Sequence, residues 1–123
     1  MVQAMEEREL EAARLLAGGL IDAGRFEAAR DILAGLIAAS PGDLFARRNL
    51  VRVRLALGDY AAAEPEARIL VERASGPDRA PARFFHANAL WGAGRIDECR
   101  REVELYARER ATRSGAPETK KAK

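Results

Sequence analysis

Apolar positions in this chain come at helical spacing and break off at glycine. Phe26, Ala29, Leu33, Leu36 and Ile37 recur every three or four residues, which gathers them on one stripe of a helix rather than on alternate faces of a strand. The glycine ahead of this run opens a phrase that returns: GRFEAA from Gly24, GDYAAA from Gly58 and GRIDEC from Gly94, 34 and 36 residues apart. In each copy a ring or branched side chain follows the glycine by two residues, and a small residue follows that by three. A glycine free to adopt positive φ can end one helix, the large side chain can wedge into the turn, and the small residue lets the two helices close.

The pattern predicts six helices, over residues 3–23, 26–40, 44–57, 60–74, 79–93 and 96–112, paired as three hairpins. Runs of alternating Val, Ile or Thr are absent, so no sheet is expected. Between hairpins, SPGD at Ser40 to Asp43 and SGPD at Ser75 to Asp78 each join a helix stop to an aspartate able to cap the next helix. Pro65 falls inside the fourth helix and predicts a kink or a delayed start there. Residues 113–123 are polar and basic and are expected to form a disordered tail.

Aligned on their glycines, the units match beyond spacing. The first reads Leu16, Ala17, Leu20, Gly24, Phe26, Ala29, Leu33 and Pro41, the second Leu50, Val51, Gly58, Tyr60 and Ala63, the third Ala87, Leu90, Gly94, Ile96 and Cys99. Across roughly residues 10 to 112 this resembles the tetratricopeptide repeat (TPR) family. The resemblance implies an all-α domain over 1–112, built as three tandem hairpins (about 10–43, 44–77 and 78–112) in a short right-handed α-solenoid. No hairpin can bury its apolar stripe alone, so neighbours must stack. The chain departs from the family at Arg47 and Arg83, where a bulky apolar residue is usual, and at Arg54, where Tyr is common.

Composition narrows the function. Of 123 residues 48% are hydrophobic and 33% charged, and 21 basic against 19 acidic side chains leave a net charge of +2. The two signs are interleaved, which argues against a nucleic-acid partner. No segment reads as a membrane span or a secretory leader, and a lone cysteine cannot form an internal disulfide, so a cytoplasmic location is expected. His86 and Cys99 are the single members of their types. A zinc site needs convergent ligands and a thiol nucleophile needs an oriented base, and no Cys/His cluster supplies either. Cys99 takes the small-residue place of Ala29 and Ala63, and His86 the place of Leu16 and Leu50 facing the second helix of its hairpin. A packed thiol and a half-buried, hydrogen-bonded imidazole follow, with no catalytic, metal or cofactor site and no enzyme.

The resemblance also implies that the first helices of the hairpins line a concave surface. Its lining would be Arg14, Leu15, Gly18 and Ile21, then Phe45, Arg48, Asn49, Arg52 and Leu55, then Phe84, Phe85, Asn88 and Trp91. Some family members clamp a peptide's terminal carboxylates with basic and Asn residues. Arg14 and Asn49 fit that set, whereas Gly18, Pro81 and Phe85 replace its other members. Rings and arginines together suit an extended or helical segment with apolar anchors and some acidic character. A narrower likeness lies in ARFFHANALWGAGRIDECR, which resembles class II chaperones of type III secretion systems, and in LALGDYAAAE, which is similar to their needle-subunit chaperones. It implies a cytosolic protein that holds one secreted needle or translocator subunit before export, with a small co-chaperone as second partner. A general scaffold for complex assembly and a self-associating structural module, such as a homodimer, are the alternatives.

Overall fold

Six α-helices follow one another in antiparallel pairs: α1 (Glu7–Asp22), α2 (Phe26–Ala39), α3 (Leu44–Ala56), α4 (Tyr60–Arg73), α5 (Arg79–Gly92) and α6 (Ile96–Arg113). They come from a computed structural model that describes residues 6–113, and no strand occurs among the described residues. The expected start of the first helix at residue 3 and the expected disorder of 114–123 lie outside the described residues, while Arg113 closes α6. Each helix packs on the next along the chain, and α3 also meets α5 past α4. This is a helical solenoid.

The repeated phrase does at each turn what its residue types require. Gly24, Gly58 and Gly94 adopt φ of 75°, 76° and 80°. That left-handed conformation lets the following N–H turn back on the helix just ended: Arg25 donates to the Leu20 carbonyl at 2.8 Å, Asp59 to Arg54 at 2.8 Å and Arg95 to Leu90 at 2.9 Å. The small residues five positions on, Ala29, Ala63 and Cys99, are all buried where the paired helices approach.

The two linkers diverge. Asp43 caps α3, its carboxylate accepting the Ala46 N–H at 3.0 Å, and its other oxygen accepts Arg14 Nε from α1 at 3.0 Å. Asp78 makes no side-chain cap. Gly76–Asp78 form a 3-10 turn that leads straight into α5, so Asp78 sits at φ −83° and ψ −12°, without the extended backbone from which a capping side chain folds back. Asp43→Ala is therefore expected to cost about 1–2 kcal/mol, as a lost cap plus a partly exposed ion pair. Urea unfolding would check this, and Asp78→Ala should cost less than half as much.

Pro65 does not delay its helix. α4 begins at Tyr60 and runs unbroken to Arg73. Pro65 and Ala61, whose carbonyl loses its partner, are both exposed, so water can satisfy that group.

Two kinds of core hold the stack. Between the first and second hairpins it is apolar: Leu10, Ala17, Ala29, Leu33, Leu36, Ala46, Leu50 and Val53 form one buried cluster. Between the second and third, Leu70, Val71, Ala74 and Ala82 form a smaller one, with Leu44 and Phe85 against it. Ionic contacts add to it, Glu64 of α4 meeting His86 at 2.9 Å and Arg95 at 3.2 Å. Within the hairpins, the unusual Arg47 is buried and pairs with Glu66, and Arg83 pairs with Glu102 at 3.3 Å. Both arginines stand eleven residues before the turn glycine and both glutamates eight after it, where the first hairpin has Ala13 and Ile32. The second and third hairpins thus replace an apolar helix contact with the same ion pair.

α4 and α5 come unusually close at one point. A Cβ on Gly92 would collide with the ring of Tyr60, so the Tyr60 side chain lies directly on the α5 backbone.

Candidate functional site

The exposed sides of α3 and α5 carry the residues best placed to meet a partner. On α3, Arg48 and Arg52 are one turn apart and both exposed, and neither forms an ion pair among the described residues. Arg52 Nη1 donates to Asn49 Oδ1 at 2.8 Å, which steadies the guanidinium without neutralising it. On α5 the equivalent register brings Phe84, Asn88 and Trp91 to the surface, with Phe84 49% and Trp91 65% exposed. The Asn88 amide donates to the Phe84 carbonyl at 3.1 Å, which leaves its oxygen available. Phe45 and Leu55 of α3 are half-buried beside this face.

Four residues of the expected lining sit elsewhere. Leu15, Asn49 and Phe85 share one register, nine residues before the turn glycine, and that register points to the preceding hairpin. Asn49 is buried, its amide donating to the Phe45 carbonyl at 2.9 Å, and Phe85 packs on the Leu70 and Ala82 cluster. Leu15 stays exposed, since no helix precedes α1 among the described residues. Arg14 is engaged by Asp43 at 3.0 Å and Glu7 at 3.5 Å. Its hydrogen bond to Asp43 raises its pKa, so it serves as a tie between α1 and α3. Gly18 and Ile21 are half-buried on α1.

Tyr106 and Arg110 extend the α5 surface, although the sequence pattern assigned them only to a second helix. The Phe84 ring lies 5.8 Å from Tyr106 and 6.1 Å from Phe85, centroid to centroid. With Ala80, Pro81 and Arg110, Phe84 and Tyr106 line a pocket of about 200 Å³ between α5 and α6. Arg110 sits 5.8 Å over the Tyr106 ring.

A buried polar cluster fixes α5 from behind. Glu64 of α4 is 4% exposed and accepts from Arg68 at 3.0 Å, and it lies 3.2 Å from Arg95 and 2.9 Å from His86 Nε2. His86 is buried rather than half-buried, and its Nδ1 faces Glu102 of α6 at 3.5 Å. Glu102 continues the cluster through Arg83, which reaches Glu109 at 3.1 Å. The Arg68 hydrogen bond, aided by His86 and by the Arg95 charge, outweighs burial and draws the Glu64 pKa down from 4.5 to about 2. Cys99 is buried and unpaired by any disulfide. Among the described residues no group of His, Cys, Asp and Glu could hold a metal ion, and no helix is long and apolar enough to cross a membrane.

Helices paired through glycine turns and stacked hairpin on hairpin define a helical-repeat protein. The chain carries tetratricopeptide repeats: one family model described as tetratricopeptide repeat matches residues 20–74, and a second of the same description matches residues 80–104. Among solved structures it is similar to Podosopora anserina putative kinesin light chain nearly identical TPR-like repeats, at 19% identity with a TM-score of 0.71. A variant of the same repeats gives a TM-score of 0.72 at 19% identity. Each match covers 87% of this chain and 57% of the other, so this chain spans little more than half the length of those repeat chains. At that identity the likeness speaks for the fold. No curated protein matches the chain.

Proposed function

We propose that this protein is a non-catalytic protein-binding module whose α3 and α5 faces take a segment bearing an apolar anchor and acidic side chains. One observation carries this: Arg48 and Arg52, exposed and without ion pairs among the described residues, occupy on α3 the register that Phe84 and Asn88 occupy on the adjacent α5, where Trp91 lies exposed about one turn further on. Arginine and tryptophan are the residue types most enriched among energetic anchors of protein interfaces, and unpaired guanidinium groups favour carboxylates. The tetratricopeptide fold is typically a scaffold for such contacts.

Trp91→Ala and Arg52→Glu are the variants to compare. Each is expected to weaken binding of an acidic, aromatic-containing segment at least about tenfold, because anchors of this kind contribute about 2 kcal/mol or more. Helicity should be unchanged, since both side chains are exposed. Titration calorimetry with such peptides, alongside circular dichroism, reads both effects, and undiminished affinity in either variant would overturn the assignment. Phe85→Ala is a poor probe, because Phe85 is part of the packing between hairpins.

A more specific role, holding a type III secretion needle or translocator subunit in the cytoplasm before export, is supported only by the ARFFHANALWGAGRIDECR and LALGDYAAAE phrases. Neither solved structure named above is a secretion chaperone. Mass spectrometry of the polypeptide that co-purifies with the chain decides between this role and a general scaffold. A needle or translocator subunit is the outcome the narrower role requires.

A further inference from the structure

The two ends of the stack present surfaces that are covered elsewhere in the same molecule. On α1, Ala12, Leu15, Leu16 and Gly19 form one exposed stripe, with Leu15 and Leu16 72% and 53% exposed. In the same register α3 has Ala46, Asn49, Leu50 and Val53, all buried, and there α2 packs on it. On α6, Ile96 and Val103 are 37% and 48% exposed. Their register mates are Phe26 and Leu33 on α2, and Tyr60 and Ala67 on α4, each half-buried or buried beside the following hairpin. The chain thus shows twice, at α2 on α3 and at α4 on α5, how these two kinds of surface fit together.

We infer that a second copy of the chain occupies these ends, the outer side of α6 in one copy packing on the outer side of α1 in the next as α4 packs on α5. Charge favours this occupant. The α4–α5 junction is antiparallel, with Tyr60 in the first turn of α4 against Gly92 in the last turn of α5. The same arrangement between copies brings the first turn of α1, which carries Glu7 and Glu9, near the last turns of α6, which carry Arg108 and Arg110. The two surfaces differ, so the contact is head to tail and does not close at a dimer.

Light scattering or sedimentation over a series from about 10 μM to about 1 mM, the range suited to a contact of one helix pair, tests this. The average mass should climb from 13.4 kDa and pass twice that value. Leu16→Glu and Val103→Glu should each remain monomeric, because each spoils one end. Mixed in equal amounts they should form a one-to-one dimer and nothing larger, since one variant keeps its α6 surface and the other its α1 surface. Circular dichroism confirms that both are folded, and Leu15→Glu serves as a second α1 variant. A parent chain that stays monomeric throughout would overturn the proposal, leaving the ends to a different partner. So would self-association of either single variant to the parent's extent, which would indicate a symmetric contact between like ends.

Discussion

Glu64→Ala is expected to lower folding stability by about 3 kcal/mol, because it leaves the buried His86 without its Nε2 partner and takes from Arg68 and Arg95 the carboxylate they share. Glu64 is almost fully buried, and it joins Arg68 of its own helix to His86 and Arg95 of the third hairpin. Arg68 and Arg95 are partly exposed and can recover water, which places the cost at the lower end of the range for buried pairs. His86 cannot recover it. The same cluster governs the response to acid. A carboxylate whose pKa falls from 4.5 when unfolded to about 2 when folded adds stability that is complete above pH 4.5 and disappears as the pH drops toward 2. That contribution amounts to about 3 kcal/mol. Urea midpoints measured from pH 6 down to pH 2 should fall steeply for the parent chain and less so for Glu64→Ala. Parallel pH profiles would show that Glu64 is not responsible.

Gly92→Ala is expected to cost about 2–3 kcal/mol, although alanine ordinarily improves a helix. The added methyl group would occupy the place of the Tyr60 ring, so either the ring must swing out or α4 and α5 must move apart. Tyr60→Ala alone loses the ring's packing. In Gly92→Ala with Tyr60→Ala, however, the second change relieves the clash, so the double variant should be more stable than the sum of the single losses predicts. Simple additivity would mean that the two sites do not touch.

The turns were legible because a left-handed backbone leaves a chemical trace. Gly24, Gly58 and Gly94 stand where the chain needs positive φ, and the helix limits drawn from them agree with those found to within about two residues away from the N-terminus. Burial was harder to read. Periodicity gives the angle of a side chain on its helix but not which neighbour covers that angle. By periodicity Asn49 and Phe85 belong with an open surface, but Asn49 is buried and Phe85 packs on the preceding hairpin. The ion pairs leave a signal in the sequence that is only half visible. Arg47 and Arg83 stood out as odd, but their partners Glu66 and Glu102 lie 19 residues on, at a place that is apolar in the first hairpin. Tyr106 was missed because its pocket forms only when α6 folds back on α5.

The contrast between the two junctions gives the molecule a gradient. Leu33, Leu36 and Leu50 bind the first two hairpins chiefly by dehydration, which protons do not reverse, beside the Arg14–Asp43 pair. The third hairpin is held to the second by a smaller apolar cluster and by Glu64, whose charge acid can titrate, paired with His86 and Arg95. Partial opening should therefore begin at the C-terminal pair of helices and leave the first four intact, so that one end of the protein can loosen while the other keeps its shape.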